Sequence, residues 1–141
     1  MNAHRNVGLD LNWLLDDVVN RVVGAQGAIV LSADGLLVGS SASMSKDDSD
    51  QLSAIASSLE SLAKGVSRRF SRGPVVQNMI EMERGYLFVL AAGRGACLAL
   101  LADETVNVAD IGYEMNRLVK QVGDYLAAAP RNRAQFPSDL T

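Results

Sequence analysis

Few residues in this chain could do chemistry, and they are scattered. The 141 residues hold one histidine, His4, and one cysteine, Cys97. His4 sits in the polar opening stretch MNAHRNVG, where nothing would hold it as a base or a metal ligand. Cys97 falls inside the apolar run ACLALLA, which reads as a strand and makes the thiol a small buried hydrophobe. A nucleophilic thiol needs an accessible, electropositive setting, and only Arg94 is near it in sequence. Carboxylates pair at Asp16-Asp17, on the watered side of a helix, and at Asp47-Asp48, at a helix N-terminus where negative charge is favourable. No spacing of His, Cys and carboxylates matches a metal site. Gly93-Arg94-Gly95 has the glycines of a phosphate loop, but it joins two strands and no Lys-Ser/Thr follows, so it reads as a hairpin turn. The expectation is therefore no catalytic, cofactor or metal residue, no nucleotide bound by the chain itself, and no enzyme.

Composition narrows the class further. A chain 48% hydrophobic and 21% charged folds as one soluble domain. The net charge of −3 lacks the broad positive field of a nucleic-acid binder. A lone cysteine fits a reducing compartment, and neither a membrane-spanning run nor a leader-like stretch is visible. The expected location is the cytoplasm, without direct membrane insertion.

Periodicity supplies the elements. Leu11, Leu14, Leu15, Val18, Val19 and Val22 mark one face of a first helix, with Asp10 as N-cap and Gly24 and Gly27 closing it. Residues 1–8 read as a flexible tail, 9–128 as the domain and 129–141 as a second tail. GAIVLSA and LLVGSS flank an Asp34-Gly35 turn, a hairpin that places Ile29, Leu31, Leu36 and Val38 on one face and Val30 and Leu37 on the other. A second helix spans about 46–70, capped by Ser45, with Leu52, Ile55, Ala56, Leu59, Leu62, Ala63, Val66 and Phe70 as its apolar, core-facing set. A three-strand meander follows: PVVQNMIEM, polar enough for an edge, then GYLFVLA and ACLALLA. The last helix carries Val108, Ile111, Met115, Leu118, Val119, Val122 and Leu126; Gly112 and Gly123 interrupt it and suggest close packing. The predicted fold is α+β with topology αββαβββα. Its five-stranded antiparallel sheet has order 2-1-5-4-3, one long helix on one face and two on the other.

What remains is surface. Opposite the apolar set, the second helix shows Ala54, Ser57, Ser58, Ser61 and Gly65, an uncharged strip of small residues. Small side chains let another helix approach closely, so this strip, with Val75, Gln77 and Met79 of the edge strand, is the expected homodimer interface. A bulky charge at Ser57 or Ser61 is then expected to break the pair. Trp13, opposite the stripe of the first helix, either packs on the neighbouring helix or anchors a partner. Trp13, Asp50, Lys64 and Arg68 are the candidate partner-binding residues. Arg68, Arg69 and Arg72 suit the C-terminal end of the helix dipole, and could in principle reach a phosphate.

LNWLLDDVVNRV, GAIVLSADGLLV and DQLSAIASSLESLAKGVSRRF, followed by GYLFVLAAGRGACLALLADE and DIGYEMNRLVKQV, resemble the Roadblock/LC7 family over about residues 9–127. The LSADGLL hairpin and the YEMNRLV helix are most similar to its actinobacterial branch. The resemblance implies a small dimer paired through the second helix and third strand. It implies a Ras-like small GTPase as partner, regulated or scaffolded, and a sensor-kinase-like protein in the same bacterial signalling system, with membrane recruitment only through partners. It leaves open an adaptor that never touches the GTPase. A small-ligand sensor or an enzyme is the remaining alternative.

Overall fold

In the computed structural model, which describes the backbone of residues 3–128 and the side chains of residues 11–128, the apolar periods become three helices and five strands. They are α1 (Ala3–Arg21), β1 (Ala25–Leu31), β2 (Leu37–Ser40), α2 (Lys46–Phe70), β3 (Gln77–Met82), β4 (Gly85–Ala91), β5 (Cys97–Asp103) and α3 (Val108–Ala128). The sheet is antiparallel with order β2-β1-β5-β4-β3, as expected. The two most apolar strands, β1 and β5, lie at its centre because both of their faces must leave water.

One face of the sheet is covered by α1 and α3. Leu11, Leu15, Val18, Ile111, Met115, Leu118 and Val122 pack there over Val30, Phe88, Leu98 and Leu100. Arg21 ties the two helices together, its guanidinium 2.7 Å from Glu114 and 3.2 Å from Asp17. The Glu114 carboxylate holds the Arg21 pKa above its ordinary value, ahead of Asp17. On the other face α2 lies alone over Ile29, Leu31, Leu87 and Val89.

Several boundaries differ from the sequence reading. Helix α1 reaches back to Ala3, so the stretch expected as a tail over 1–8 is helical from residue 3 and Asp10 is not its cap. No proline interrupts 3–10, and Gly8 alone costs about 1 kcal/mol in a helix. Gly24, at φ +93°, makes the turn out of α1, while Gly27 lies within β1 and does not end the helix. The proposed tail over 129–141 lies outside the described residues.

The hairpin loop is three residues, Ala33-Asp34-Gly35, not two. The Ser32 amide donates to the Leu36 carbonyl and the Gly35 amide to the Ser32 carbonyl, with Gly35 at φ +81°. A register shift follows between Val30 and Leu31. One residue of slip moves side chains to the opposite face. Val38 thus packs with Val30 under α1 instead of with Ile29 and Leu31, and Leu36 is left exposed.

The Ser45 cap behaves as read. The Ser45 hydroxyl accepts from the Asp48 amide at 3.0 Å to open α2. Asn107 does the same for Asp110 at 3.1 Å to open α3. Helix α2 closes on Ser71 in the left-handed region, before the expected Gly73-Pro74. In α3, a methyl group at Gly112 would meet open space, so the expected close packing does not exist there, while one at Gly123 would sit 3.6 Å from the Ala92 carbonyl. Gly112→Ala is accordingly expected to raise stability by up to about 1 kcal/mol, read as a higher urea midpoint.

Candidate interaction surface

Of the apolar set expected to face the core, Leu52 and Ala56 are buried against the sheet and Leu59 packs partly against it, but the inward stripe is centred about a quarter-turn away from that set. Ser49, Leu52, Ser53, Ala56 and Glu60 face the sheet and are buried. The sheet beneath already presents large side chains, Ile29, Leu31, Leu87 and Val89, so small residues let the helix axis come close. The buried polar groups are largely satisfied. The Ser53 hydroxyl donates to the Ser49 carbonyl at 2.8 Å, and the Asn78 amide on β3 donates to the Glu60 carboxylate at 2.7 Å. Among the described residues the Ser49 hydroxyl is the one buried side-chain group without a partner.

Four of the larger apolar residues expected to face the core are outside. Leu62 is 70% exposed, Phe70 61%, Val66 59% and Ile55 49%. Each residue turns about 100° around the helix axis, which gathers these four on the flank beside β3. There Ile55 shares a groove of about 430 Å³ with Ile80 and Met82, and Val66 shares another with Val75 and Asn78. Ile80 and Met82 lie on the α2 side of β3 and keep 38% and 45% of their surface exposed. The result is one continuous exposed apolar surface, of the kind that marks a protein–protein contact.

The residues expected at a dimer interface fall in several places. Ala54, Ser58 and Ser61 are exposed, but Ser57 and Ser61 line a cleft with Ser32 and Gly35 on the flank away from β3. Gly65 is half-buried, and a Cβ there would touch nothing. Val75 is half-buried in the connection before β3, and Gln77 and Met79 are exposed but point to the α1/α3 side of the sheet. Ser57 and Ser61 thus lie on the flank of α2 away from β3, while Gln77 and Met79 lie on the opposite face of the sheet. The inward stripe and the exposed apolar stripe of α2 share one period and sit about a quarter-turn apart, so hydropathy alone did not separate them.

The other candidates also separate. Lys64 joins Ser57 and Ser61 at the cleft, Arg68 joins Lys64 in the adjoining one, and Asp50 is paired with Lys46 at 3.0 Å. Trp13, 64% exposed, is on the far side of the sheet beside Gln121, Asp124 and Tyr125 of α3. Among the described residues, Lys64, Arg68, Arg69 and Arg72 make no ion pair, while Asp47 and Asp48 open the same helix. Helix α2 therefore runs from an acidic end to a basic end.

The two sheet edges are treated differently, which the sequence reading missed. At β2 the outward amides of Ser40 and Ala42 are taken by Asn12 at 2.9 Å and Asp16 at 2.6 Å, one helical turn apart on α1. Asn12 and Asp16 thus cap that edge against further pairing. Among the described residues, edge β3 has no such cover: five of its six residues are exposed. The i,i+4 spacing of Asn12 and Asp16 was visible, but their target was not.

Cys97 is buried under α2, and burial, ahead of the nearby Glu60 charge, pushes its thiol up to about 12. Its folded pKa exceeds the unfolded one, so this contribution to stability is complete below about pH 8.5 and lost as pH rises toward about 12. Alkylation by iodoacetamide at pH 8 is expected to be far slower than for a free thiol and to become fast in urea. Among the described residues, no group of three or more His, Cys, Asp or Glu could hold a metal ion, and no helix is long and apolar enough to cross a membrane.

Comparison with known proteins places this surface in context. Residues 11–102 match the Roadblock/LC7 domain. A Roadblock/LC7 domain structure from Streptomyces avermitilis is 40% identical with a TM-score of 0.79, covering 83% of this chain and 98% of that one. An uncharacterized protein of Methanocaldococcus jannaschii is 31% identical over 104 residues, 74% of this chain and 90% of its own. The gliding protein MglB of Thermus thermophilus, 17% identical with a TM-score of 0.77 over 87% of this chain and 93% of that one, shares the fold.

Proposed function

Since this chain belongs to the Roadblock/LC7 family, we propose that it is a homodimeric, non-enzymatic regulator or scaffold of a Ras-like small GTPase in a bacterial signalling system. One observation carries the self-association: an exposed apolar flank of α2 continuous with an open β3 edge, in a sheet whose other edge is capped. A second copy placed there continues the sheet and covers Ile55, Leu62 and Val66 at once.

Pairing through that flank leaves the opposite one free on both copies. It carries Ser57, Ser61, Lys64 and Arg68, small residues beside cations that make no ion pair among the described residues, which suits a flat, charged partner surface. This is where the GTPase is proposed to dock. The protein acts there by binding, in the cytoplasm, with any membrane association supplied by its partners. The sensor-kinase-like protein would engage elsewhere, and Trp13 with Tyr125 is the exposed aromatic pair available to it.

The test is co-elution with candidate GTPases of the same cytoplasm, loaded with GDP or a non-hydrolysable GTP analogue, with mass measured by light scattering. A complex that depends on the nucleotide and contains two copies of this chain is expected. A complex indifferent to the nucleotide would favour an adaptor, and a monomer at micromolar concentration would remove the dimer.

A further inference from the structure

Beneath the carboxy-terminal half of α2 the sheet leaves a hollow. Every second residue of β4 faces the helix, and Leu87 and Val89 fill that face. Ala91, next in the series, is too small to continue the filling and is exposed. The space left is about 280 Å³, with an apolar floor of Pro74, Val75, Ala91 and Ala96. Its helical wall carries Glu60, Lys64 and Arg68, each one turn of α2 after the last, so that all three share a face.

Glu60 is the unusual member. Among the described residues it is the one charged side chain in the core, at 9% exposed. Its Oε1 accepts from the Asn78 amide at 2.7 Å, and its second oxygen is not sealed in and keeps access to the hollow. Lys64 and Arg68 are exposed at the mouth and make no ion pair among the described residues, with Glu60 or with any other group. Drawing a carboxylate out of water is costly unless it is paired and hydrogen-bonded. Here a half-satisfied anion lies deep, two uncommitted cations stand beside it, and an apolar floor lies below.

We propose that this hollow binds a free α-amino acid with an apolar side chain. Glu60 takes the ammonium, Lys64 and Arg68 take the carboxylate, and the floor takes the side chain. A simple anion is repelled by Glu60 and a simple cation by Lys64 and Arg68, whereas adjacent opposite charges meet both. A volume of about 280 Å³ is at the small end for a ligand site, which suits an amino acid and not a nucleotide. The site lies within one chain and needs neither a second copy nor a GTPase. Its occupant lies on the flank where the GTPase is proposed to dock.

The experiment is isothermal titration calorimetry of the full chain with L-leucine, L-valine and L-methionine, and with two leucine derivatives. N-acetyl-leucine lacks the cation and leucinamide lacks the anion. At least one of the three amino acids is expected to bind with a dissociation constant below about 1 mM, and each derivative at least about 10-fold more weakly than leucine. Glu60→Gln keeps an acceptor for Asn78 but removes the charge, and is expected to weaken binding at least about 10-fold. Lys64→Gln with Arg68→Gln, both at exposed positions, is expected to do the same. Ala91→Leu fills the hollow without touching a charge and is expected to abolish binding. Circular dichroism melts check that each variant folds. No heat with any of the three amino acids would overturn the proposal. So would N-acetyl-leucine binding as tightly as leucine, or affinity unchanged in folded Ala91→Leu. None of these outcomes bears on co-elution with a GTPase, so the two readings fail separately.

Discussion

Leu62→Glu with Val66→Glu is expected to yield a folded monomer. Both positions are exposed in the single chain, at 70% and 59%, so the substitutions remove little from its core. Glutamate is also at least as good a helix former as valine, so α2 should persist. In the pair, by contrast, two large aliphatic groups lose their burial and two like charges enter an apolar seam. At about 1.5–3 kcal/mol for each buried side chain, the dissociation constant should rise by at least about 100-fold. Light scattering across a dilution series reads this directly. The small-residue flank makes the contrasting control. Ser61→Glu, on the side of α2 away from β3, should leave self-association unchanged and weaken GTPase binding. A result in the other order, with Ser61→Glu splitting the pair and Leu62→Glu with Val66→Glu sparing it, would restore the small-residue strip as the interface.

Leu98→Ala is expected to be severe for the opposite reason. Leu98 is fully buried at the centre of the sheet, paired with Val30 on β1 and Leu90 on β4, beneath α1 and α3. Truncating a buried leucine removes its transfer energy and leaves a cavity, together about 3 kcal/mol. That is a large share of the roughly 5–15 kcal/mol that holds a domain of this size. The urea midpoint should fall markedly while the slope stays constant. Because pairing stabilises the folded chain by mass action, the comparison needs fixed protein concentration, or the Leu62→Glu, Val66→Glu background. There the full cost should appear undiluted. The two leucines make the point together: Leu98 supports the fold, and Leu62 supports what the fold meets.

The element order and the sheet order were legible in the residues themselves. Runs such as GYLFVLA and ACLALLA have no polar face, so they must be central. QNMIEM has polar residues on both faces, so it must be an edge. The absence of a clustered His, Cys and carboxylate set was equally plain, and pointed toward a surface and away from a catalytic pocket. The cap at Ser45 follows from local hydrogen-bonding chemistry that needs no distant partner.

Other features depended on contacts distant in sequence. Which stripe of α2 turns inward was set by the bulk of Ile29, Leu31, Leu87 and Val89, residues on two strands, β1 and β4. A single-residue shift in the β1–β2 pairing, set by a three-residue loop, decided that Val38 serves one core and not the other. The capping of β2 by Asn12 and Asp16 joins residues 28 and 26 positions apart. Local pattern fixes period because neighbouring residues share one backbone. It leaves phase open, because phase is chosen by whichever surface the element packs against. In this protein the phase of α2 determines which residues are left to meet a partner, and that required the tertiary structure.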